Sequence, residues 1–419
     1  MTVIDKTLLP AARGEGARRA DEGPVRTRPF AGPCFIGGRE RELVLEALES
    51  CSWSAFRAGI GEHDARTLCE LPSAEALAFD DDEARFLGGI WVRRLEAAFA
   101  ARAGVRYAVA CNSATSGLLM AAGALDLGPG DEVLVPCMSF HASATALLPL
   151  GIRPVFVEVK PDTFCIDPVD AAAKVTPRTK AIMAVHLGGS PADLDALFAL
   201  GLPVIEDCAQ APGALYRGRE VGSIADVGVY SLTETKTITC GEGGVVVTDD
   251  PRIAYRARLI RNHGEGVVSS ADLAHIAGMN FRLTDLQAAL ALAQFEQLDE
   301  RNALRAANVS HLVAGLPTAF AAQAVEAEAT PAWFMLMTRY SGTPSRDELV
   351  RRLHAEGIPV VGGYGRLLYQ HPLFARDNPA PCPRSEALNR EFVWFPFINP
   401  PNDTRDMDDV LLAIEKVLS

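Results

Sequence analysis

Lysine and long apolar runs are both scarce in this chain of 419 residues. Lysine occurs only six times, and acidic residues outnumber basic ones by 53 to 40, which gives a formal net charge of −13 at pH 7. Proteins that bind a nucleic-acid backbone usually carry a basic patch, whereas the basic residues are mostly dispersed here. No stretch approaches the roughly 18 apolar residues of a membrane span. We therefore expect neither nucleic acid nor a membrane among the partners.

The nine cysteines lack the paired spacing of zinc or redox sites. They are scattered at positions 34, 51, 69, 111, 137, 165, 208, 240 and 382, without a C-x-x-C pair. An odd number of scattered cysteines in a chain of this size favours reduced thiols. Residues 1–28 mix arginines with acids and glycine and hold no apolar core of a signal peptide. We predict a cytoplasmic protein without a metal site, which begins with a flexible N-terminal arm over residues 1–28.

Apolar residues make up 48% of the chain, enough to bury a large core in two domains. Helical spacing of apolar residues predicts helices over 39–48, 91–101, 116–125 and 301–313. Short apolar runs predict strands over 105–111, 132–136, 154–159, 181–185 and 203–206. This alternation predicts a mainly parallel sheet with helices on both faces, and such sheets bind ligands at the carboxyl ends of their strands.

The segment around Lys236 is the most informative part of the chain. Lys236 follows the apolar run 227–230, which predicts a buried strand, and precedes a glycine-rich turn and the apolar run 245–247. Asp207 falls at the end of an upstream predicted strand. A lysine amine can form a Schiff base with the aldehyde of pyridoxal phosphate (PLP), and a carboxylate keeps the pyridine nitrogen of PLP protonated. The pair predicts a PLP site, with a solvated loop lysine as the alternative.

Other polar segments leave two interpretations open. Residues 111–117 stand between a predicted strand and a predicted helix, where backbone N–H groups favour an anion, but an ordinary Ser/Thr helix cap fits equally well. Phe140 could stack on a flat cofactor ring or pack in the core. His186 could face the cofactor or be a buried histidine with satisfied hydrogen bonds. The polar and acidic residues 56–84 predict either a solvated surface loop or a loop that borders the active site.

Five motifs occur in order along the chain: Cys111-Asn-Ser-Ala-Thr115, Val135-Pro-Cys-Met-Ser-Phe140, Glu206-Asp-Cys-Ala-Gln210, Ser231-Leu-Thr-Glu-Thr-Lys236 followed by Gly241-Glu-Gly-Gly244, and Gly278-Met-Asn-Phe-Arg-Leu-Thr-Asp285. Together they resemble the DegT/StrS family of sugar aminotransferases, which belongs to the aspartate-aminotransferase-like PLP enzymes. The resemblance implies an α/β protein of PLP fold type I. Its large PLP-binding domain would span residues 29–290, with a mainly parallel sheet flanked by helices, and a smaller C-terminal α/β domain would span residues 295–419.

The resemblance also implies a role for each matching residue. Lys236 would form the Schiff base with PLP and then act as the base, while Asp207 would pair with the pyridinium nitrogen. The other cofactor contacts would be Gln210 at the ring hydroxyl, Phe140 stacked on the ring, and Ser113, Ala114, Thr115 and Ser231 around the phosphate. Residues Asn280 to Arg282 would reach into the site of the neighbouring subunit, with Asn280 at the cofactor. A homodimer with composite active sites is therefore implied.

The chain departs from the family pattern where the substrate should lie. Members that act on nucleotide sugars commonly carry a His-Tyr-Pro segment, whereas the matching stretch here, Gly363-Tyr-Gly-Arg-Leu-Leu-Tyr-Gln-His371, lacks that segment's histidine. The segment 56–84 is also longer than in the family. The opening residues 24–29 resemble members that aminate ketocyclitols, so both sugar and cyclitol stay open. The candidate substrate contacts are His186, Arg282, Tyr364 and Arg366.

The predicted function is the transfer of an amino group from glutamate or glutamine to a keto sugar, often nucleotide-linked, or to a ketocyclitol, in antibiotic or other specialised metabolism. A PLP-dependent lyase, dehydratase or replacement enzyme, or an aminohydroxybenzoate-type synthase, would use the same Lys236 and Asp207. A non-catalytic regulator of the same fold is the remaining alternative.

Overall fold

The structure, a computed structural model, describes residues 23–56, 70–79, 86–264, 276–377 and 379–419. Its helices are α1 Gly38–Glu49, α2 Ile90–Ala103, α3 Ala114–Ala124, α4 Ala142–Thr145, α5 Pro168–Ala173, α6 Leu194–Phe198, α7 Pro251–Arg261, α8 Asp285–Phe295, α9 Leu298–Gly315, α10 Arg346–Ala355, α11 Pro372–Ala375, α12 Pro383–Glu391 and α13 Thr404–Leu418. Within these ranges, no helix is both long and apolar enough to cross a membrane.

The strands are β1 Tyr107–Cys111, β2 Glu132–Pro136, β3 Arg153–Val157, β4 Thr179–Val185, β5 Val204–Asp207, β6 Leu215–Tyr216, β7 Arg219–Glu220, β8 Val227–Ser231, β9 Gly244–Thr248, β10 Phe320–Ala322, β11 Ala329–Thr330, β12 Leu336–Tyr340, β13 Val361–Gly362 and β14 Phe392–Phe395. Among the described residues, seven strands form a central sheet in the order β1-β9-β8-β5-β4-β2-β3. Strand β9 runs antiparallel to both of its neighbours, and the strands from β8 to β3 pair in parallel. The predicted mainly parallel sheet is confirmed.

The central sheet is covered by helices, which explains why its strands are apolar along their whole length. Helices α2, α3 and α7 pack on the side formed by β1, β8 and β9. Every residue of β1, β2, β5, β8 and β9 is buried. A strand buried on both faces has no solvent side on which polar residues could alternate. The continuous Val/Ile/Ala runs were therefore the correct signal for these strands.

Most predicted boundaries differ from the observed ones by a few residues, and two of these differences have a local reason. The strand predicted from residue 105 begins at Tyr107, because Gly104 ends α2 in the left-handed conformation and the Val105 N–H still donates to the Ala100 carbonyl, at 3.0 Å. The helix predicted from residue 116 begins at Ala114, because the Ser113 hydroxyl caps it by accepting the N–H of Ser116, at 3.1 Å.

A second sheet lies in the C-terminal part of the chain. It has the order β10-β12-β14-β13, and all of its pairs are antiparallel. Helices α9, α10 and α13 contribute to a separate apolar cluster around it. However, Leu367, Phe374 and Phe392 belong to the large cluster under the central sheet. The large cluster thus also includes side chains from the C-terminal part of the chain, and the division near residues 290–295 stays a prediction.

The prediction of a flexible arm over residues 1–28 is wrong for residues 23–28, the part of the arm that the structure describes. Residues 1–22 lie outside the described part of the chain, but Arg26 is buried and forms ion pairs with Asp406, at 2.9 Å, and Asp409, at 2.8 Å. Phe30 stacks on Phe397 with ring centroids 4.1 Å apart. The sequence signal missed this docking because the acidic partners are more than 370 positions away.

Only part of the long segment 56–84 can be placed, because residues 57–69 and 80–85 lie outside the described ranges. Residues 70–79 lie along the edge of the central sheet. The buried Ser73 accepts the N–H of Ala108 at 2.8 Å, and its own N–H donates to the Arg106 carbonyl at 2.9 Å. This part of the segment covers the edge of β1 through Ser73, while Ala74, Glu75, Leu77 and Ala78 remain exposed to solvent.

Candidate active site

A cavity of about 470 Å³ opens where the central sheet meets the second sheet. It lies at the carboxyl ends of β4, β5 and β8, beside the start of α3, where ligands of parallel sheets are expected. The central-sheet side contributes the polar lining residues Ser113, Thr115, Ser139, Ser143, Asp207, Gln210, Ser231, Thr233, Thr235, Lys236 and Glu242. The second-sheet side contributes Phe334, Met335, Val361, Tyr364, Trp394 and Pro396.

Lys236 is held in the loop between β8 and β9. The Leu232 N–H donates to the Gly243 carbonyl and the Lys236 N–H to the Thr233 carbonyl, both at 2.9 Å. Burial lowers the pKa of Lys236 from 10.5 to about 8, although the Asp207 carboxylate opposes this shift. The Lys236 Nζ lies 4.4 Å from the ring centroid of Phe334. The lysine is thus half-buried in the cavity wall rather than solvated.

Asp207 ends β5 and is fixed from two directions. Its Oδ2 accepts the hydroxyl of Ser143 at 2.8 Å, and its Oδ1 accepts the N–H of Ala209 at 3.1 Å. The Ser143 hydroxyl also contacts that of Ser139, at 2.8 Å. Sequence reasoning missed Ser143; the signal that could have found it is its position in α4, immediately after the motif that ends at Phe140. The carboxylate is therefore held in one orientation toward the cavity that it lines.

The start of α3 forms a concave backbone surface beside Ser231. Ser113, Ala114 and Thr115 line the cavity there, and Ser231 is buried at the end of β8. The Ser113 hydroxyl caps the helix, so the capping interpretation also holds. A Cβ atom at Gly244 would lie 2.7 Å from the Ala114 nitrogen, so only glycine lets β9 approach this turn. Helix N-termini attract anions, and this surface suits a phosphate group.

Phe140 and Gln210 line the same cavity. Phe140 is 56% exposed, which rules out the interpretation that it packs in the core. A planar group placed on this side of the cavity would find an aromatic face. The side-chain oxygen of Gln210 accepts the N–H of Gly188 at 2.7 Å, so that the amide group is fixed in orientation.

His186 lies away from the cavity, and this corrects its candidacy as a substrate contact. It is fully buried, its Nε2 lies 3.1 Å from Glu206, and its Nδ1 accepts the N–H of Ala192 at 3.0 Å. Burial would raise the pKa of Glu206, but His186 and backbone N–H groups outweigh burial and hold the pKa below its ordinary value. Both ring nitrogens are therefore occupied by a structural network, the alternative that the sequence left open.

Of the remaining candidate site residues, one lines the cavity and the others lie outside it. Asn280 pairs with Asn262 in an isolated bridge, and Arg282 donates to the Asn262 side chain at 2.9 Å, so neither residue lines the cavity of its own chain. Tyr364 lines the cavity, and burial together with the Asp207 charge raises its pKa. Arg366 borders a neighbouring cleft of about 410 Å³, which shares Phe140 and Tyr364 with the cavity.

Residues of one chain thus bring together an amine with a lowered pKa, a fixed carboxylate, a helix N-terminus and an exposed aromatic ring. This set can accept a flat ring compound that carries a phosphate and an aldehyde. Phe334 was not anticipated from the sequence, because its proximity to Lys236 depends on how the loop before β12 packs against the central sheet.

Known proteins are similar to this chain in sequence and in fold. Residues 75–415 match the model of the DegT/DnrJ/EryC1/StrS aminotransferase family. The chain is 36% identical over 348 residues to the dTDP-3-amino-3,4,6-trideoxy-alpha-D-glucose transaminase of Streptomyces venezuelae, a match that covers 80% of this chain and 90% of that protein. An aminotransferase structure from Psychrobacter cryohalolentis has a TM-score of 0.80 at 28% identity, covering 92% of this chain and 98% of that one. A 3-amino-5-hydroxybenzoic acid synthase structure has a TM-score of 0.78 at 28% identity, covering 94% and 99%.

Proposed function

The chain belongs to the DegT/DnrJ/EryC1/StrS aminotransferase family, and from that premise we propose that this aminotransferase uses pyridoxal 5′-phosphate to transfer an amino group to a keto sugar or a ketocyclitol. The amino donor is glutamate or glutamine. The observation that carries the proposal is the meeting of Lys236 and Asp207 in one cavity, with the pKa of the lysine lowered to about 8. A lysine that binds an aldehyde must be uncharged, and burial favours the uncharged form.

The residues present fit PLP. Ala114, Thr115 and Ser231 would hold its phosphate at the start of α3, next to the close approach of Gly244. Phe140 would lie against the ring, and Gln210 near the ring hydroxyl. When bound, the cofactor supplies the aldehyde that takes up the amino group and a ring that accepts electrons. Asp207 supports the protonated ring nitrogen because Ser143 and Ala209 keep its carboxylate in place.

Lys236 is proposed to act twice, first as a nucleophile and then as a base. At pH 7 a lysine of pKa about 8 is uncharged in about one molecule in ten, against about one in 3,000 for a pKa of 10.5. When its amine is free, the Lys236 Nζ could accept a proton and give it back, which is the role of a base in this cavity. The aromatic ring of Phe334 shields the amine from water.

Several finer features belong to the proposal. A relative that makes a dTDP-linked amino sugar supports a keto-sugar acceptor, in antibiotic or other specialised metabolism. Asn280 and Arg282 do not line the cavity of their own chain. This supports a homodimer in which the two residues complete the site of the neighbouring subunit. The scattered cysteines, eight of them described with free thiols, favour a reducing cytoplasm.

The first experiment is to record the visible spectrum of the purified protein with PLP, before and after adding glutamate or glutamine. We expect a cofactor band that shifts to that of the amine form of the cofactor with at least one donor. The Lys236→Ala variant should show neither the original band nor turnover. A band that neither donor shifts would contradict transamination and favour lyase or replacement chemistry, and no band at all would favour a non-catalytic protein.

A second candidate function is synthesis of an aminohydroxybenzoate-type aromatic product. It is favoured by the apolar second-sheet side of the cavity and by the similarity to 3-amino-5-hydroxybenzoic acid synthase. The two functions differ in product. Incubation with an amino-deoxy cyclohexenone carboxylate would produce an aromatic absorbance band in the near ultraviolet if the second function holds, and no such band if the protein is only a transaminase.

A further inference from the structure

Two free cysteines meet where the central sheet contacts the C-terminal part of the chain. Cys137 directly follows β2, and Cys382 directly precedes α12. Both side chains are fully buried, and their sulfur atoms lie no more than 4.8 Å apart. Thiols this close need only a small movement to reach the bonding distance of about 2 Å in a disulfide. The pair is therefore a candidate site of oxidation, which the proposed transamination does not use.

The charges around the pair favour thiol chemistry over metal binding. The Lys174 Nζ donates to the Cys382 sulfur at 3.8 Å, and a cation in this place stabilises negative charge on the sulfur and repels a metal ion. The Glu158 carboxylate, which would be the third ligand of a metal, lies within the same 4.8 Å. However, it already accepts the N–H groups of Arg384 at 3.0 Å and Ser385 at 2.8 Å, so it serves the start of α12.

A cavity of about 130 Å³ lies next to Cys382. Lys174 and Phe156 both line it, and both contact the Cys382 sulfur, which lies 3.8 Å from the Lys174 amine and 3.8 Å from the Phe156 carbonyl oxygen. Hydrogen peroxide is little larger than water, so it fits such a space. Burial raises the pKa of the Cys137 thiol well above its ordinary value. Cys382 is thus the thiol that a small oxidant meets first, and Cys137 is the one that keeps its proton until the second step.

We propose that Cys137 and Cys382 are a peroxide-reactive pair that forms a reversible disulfide in the folded protein. The Cys382 thiolate attacks one oxygen of hydrogen peroxide, the O–O bond breaks, and the other oxygen leaves as hydroxide, which takes up the proton that Cys382 released. The Cys137 sulfur then attacks the sulfur of the Cys382 sulfenic acid, the S–O bond breaks, and the oxygen leaves as water with the Cys137 proton. Two thiols are oxidised while one peroxide is reduced to two water molecules.

The surroundings of Cys137 allow this bond to form without unfolding. The Cys137 N–H donates to the Val157 carbonyl at 2.8 Å, and the Cys137 carbonyl accepts the N–H of Leu368 at 2.9 Å, so its backbone is held on both sides. A disulfide between residues far apart in sequence restricts the unfolded chain. Oxidation should therefore raise the apparent melting temperature by roughly 3 to 6 °C. In a reducing compartment the pair returns to thiols, as is usual for disulfides that act as sensors.

The experiment treats the full chain with hydrogen peroxide in a background that lacks three other thiols. Cys34 and Cys51, which are exposed, and Cys69, which lies outside the described ranges, are replaced by serine. Remaining thiols are then blocked with N-ethylmaleimide, and the digested protein is examined by mass spectrometry. We expect a peptide pair joined through Cys137 and Cys382, the higher melting temperature, and the return of both thiols and of the original melting temperature with dithiothreitol.

Three further substitutions in this background separate the pair from ordinary buried thiols. Cys137→Ser should stop the reaction at the Cys382 sulfenic acid, which dimedone traps. Cys382→Ser should give no joined peptides and no change of melting temperature with peroxide. Cys165→Ser, which removes a buried thiol elsewhere in the fold, should behave like the background protein. Circular dichroism before oxidation shows that each variant is folded.

Three results would overturn the proposal. The first is a folded protein in which peroxide leaves both thiols intact or converts Cys382 to its sulfinic acid without joining it to Cys137. The second is a joined pair whose melting temperature is unchanged or lower, since the bond then strains the fold. The third is uptake of Zn²⁺ by the reduced protein that Cys137→Ser removes, which would make the group a metal site. None of these measurements depends on amino transfer, so their outcome is separate from that of the proposed function.

Discussion

At the residue scale, the chemistry of this protein depends on how the fold treats a single amine. Burial lowers the pKa of Lys236 to about 8, and the Asp207 carboxylate in the same cavity limits that shift. The two effects oppose each other, and burial is the larger. A fraction of Lys236 is therefore uncharged near neutral pH, as the proposed role requires, and the charged fraction of the amine is held where water solvates it poorly.

Lys236→Met should stabilise the cofactor-free protein in a pH-dependent way. The folded pKa of about 8 lies below the ordinary value of 10.5, so the buried ammonium destabilises the fold fully below pH 8, and this cost disappears as the pH rises to 10.5. The free energy of unfolding should increase by up to about 3 kcal/mol at pH 7 and by less than about 1 kcal/mol at pH 10. Urea unfolding at the two pH values measures both gains.

The exposed Lys180 provides the matched control for this prediction. Lys180→Met removes the same charge from a solvated position on β4, so its effect should be small at both pH values. Equal gains for Lys236→Met at pH 7 and pH 10 would show that added apolar contact, rather than removal of a buried charge, explains the result.

At the element scale, the proposed phosphate surface is formed by two segments, the start of α3 and the start of β9, which approach each other with no side chain between them. Helix α3 begins at Ala114 under the Ser113 cap, and β9 begins at Gly244 directly beside it. The central sheet places these segments together because β1, which leads into α3, pairs with β9. The glycine is thus required by the contact between two elements and not by the turn in which it lies.

Gly244→Ala should weaken cofactor binding. The new Cβ would stand 2.7 Å from the Ala114 nitrogen, closer than such atoms can approach, so the first turn of α3 must shift. We expect the apparent dissociation constant of PLP to rise at least about tenfold, since misplaced N–H groups no longer match the phosphate oxygens. Fluorescence or absorbance titration of the cofactor-free protein measures this constant.

Gly128→Ala is the control, because a Cβ at Gly128 meets no atom within 4 Å. That variant should bind PLP as the unaltered protein does. If Gly244→Ala binds PLP normally while remaining folded, the start of α3 is not the phosphate site.

At the scale of the whole molecule, the cavity is lined by residues from two parts of the chain, the part that forms the central sheet and the part that contains the second sheet. The central sheet and its loops supply Lys236 and Asp207, strand β14 supplies Trp394, and the loop before β12 supplies Phe334. Neither sheet alone encloses the site. The docking of Arg26 between Asp406 and Asp409 further ties the N-terminal residues to α13. A homodimer would add the Asn280 to Arg282 segment of a second chain to this arrangement.

Mixing two inactive variants tests the composite site. Lys236→Ala and Arg282→Ala should each lose most activity, but random mixing of subunits should restore up to about one quarter of it, because half of the dimers then contain one intact site. The measurement is turnover after the two variants are unfolded and refolded together.

The control mixes Lys236→Ala with Asp207→Ala. Both substitutions damage the cavity of their own chain, so no mixed dimer contains an intact site and no activity should return. If the Lys236→Ala and Arg282→Ala mixture also stays inactive, Arg282 does not act across a subunit boundary.

The sequence by itself determined the mainly parallel sheet and the family of this protein. Buried strands such as β2 and β8 need continuous apolar residues, and such a run can be recognised from consecutive residues in the sequence. The sequence also singled out Lys236, Asp207 and Phe140, which the structure brings to one cavity, because each follows a strand of the same sheet and such strands end at the same edge.

The tertiary structure alone decided which side chains face that cavity. His186 follows a strand just as Asp207 does, yet its ring meets Glu206 and turns away from the site. Phe334 carries no sequence signal and reaches Lys236 from the loop before β12, where its N–H donates to the Gly188 carbonyl at 2.8 Å. Strand patterns are set by neighbours along the chain, whereas the contacts of His186 with Glu206 and of Phe334 with Lys236 join residues on different elements. The direction of a buried polar side chain depends on which distant partner satisfies its hydrogen bonds.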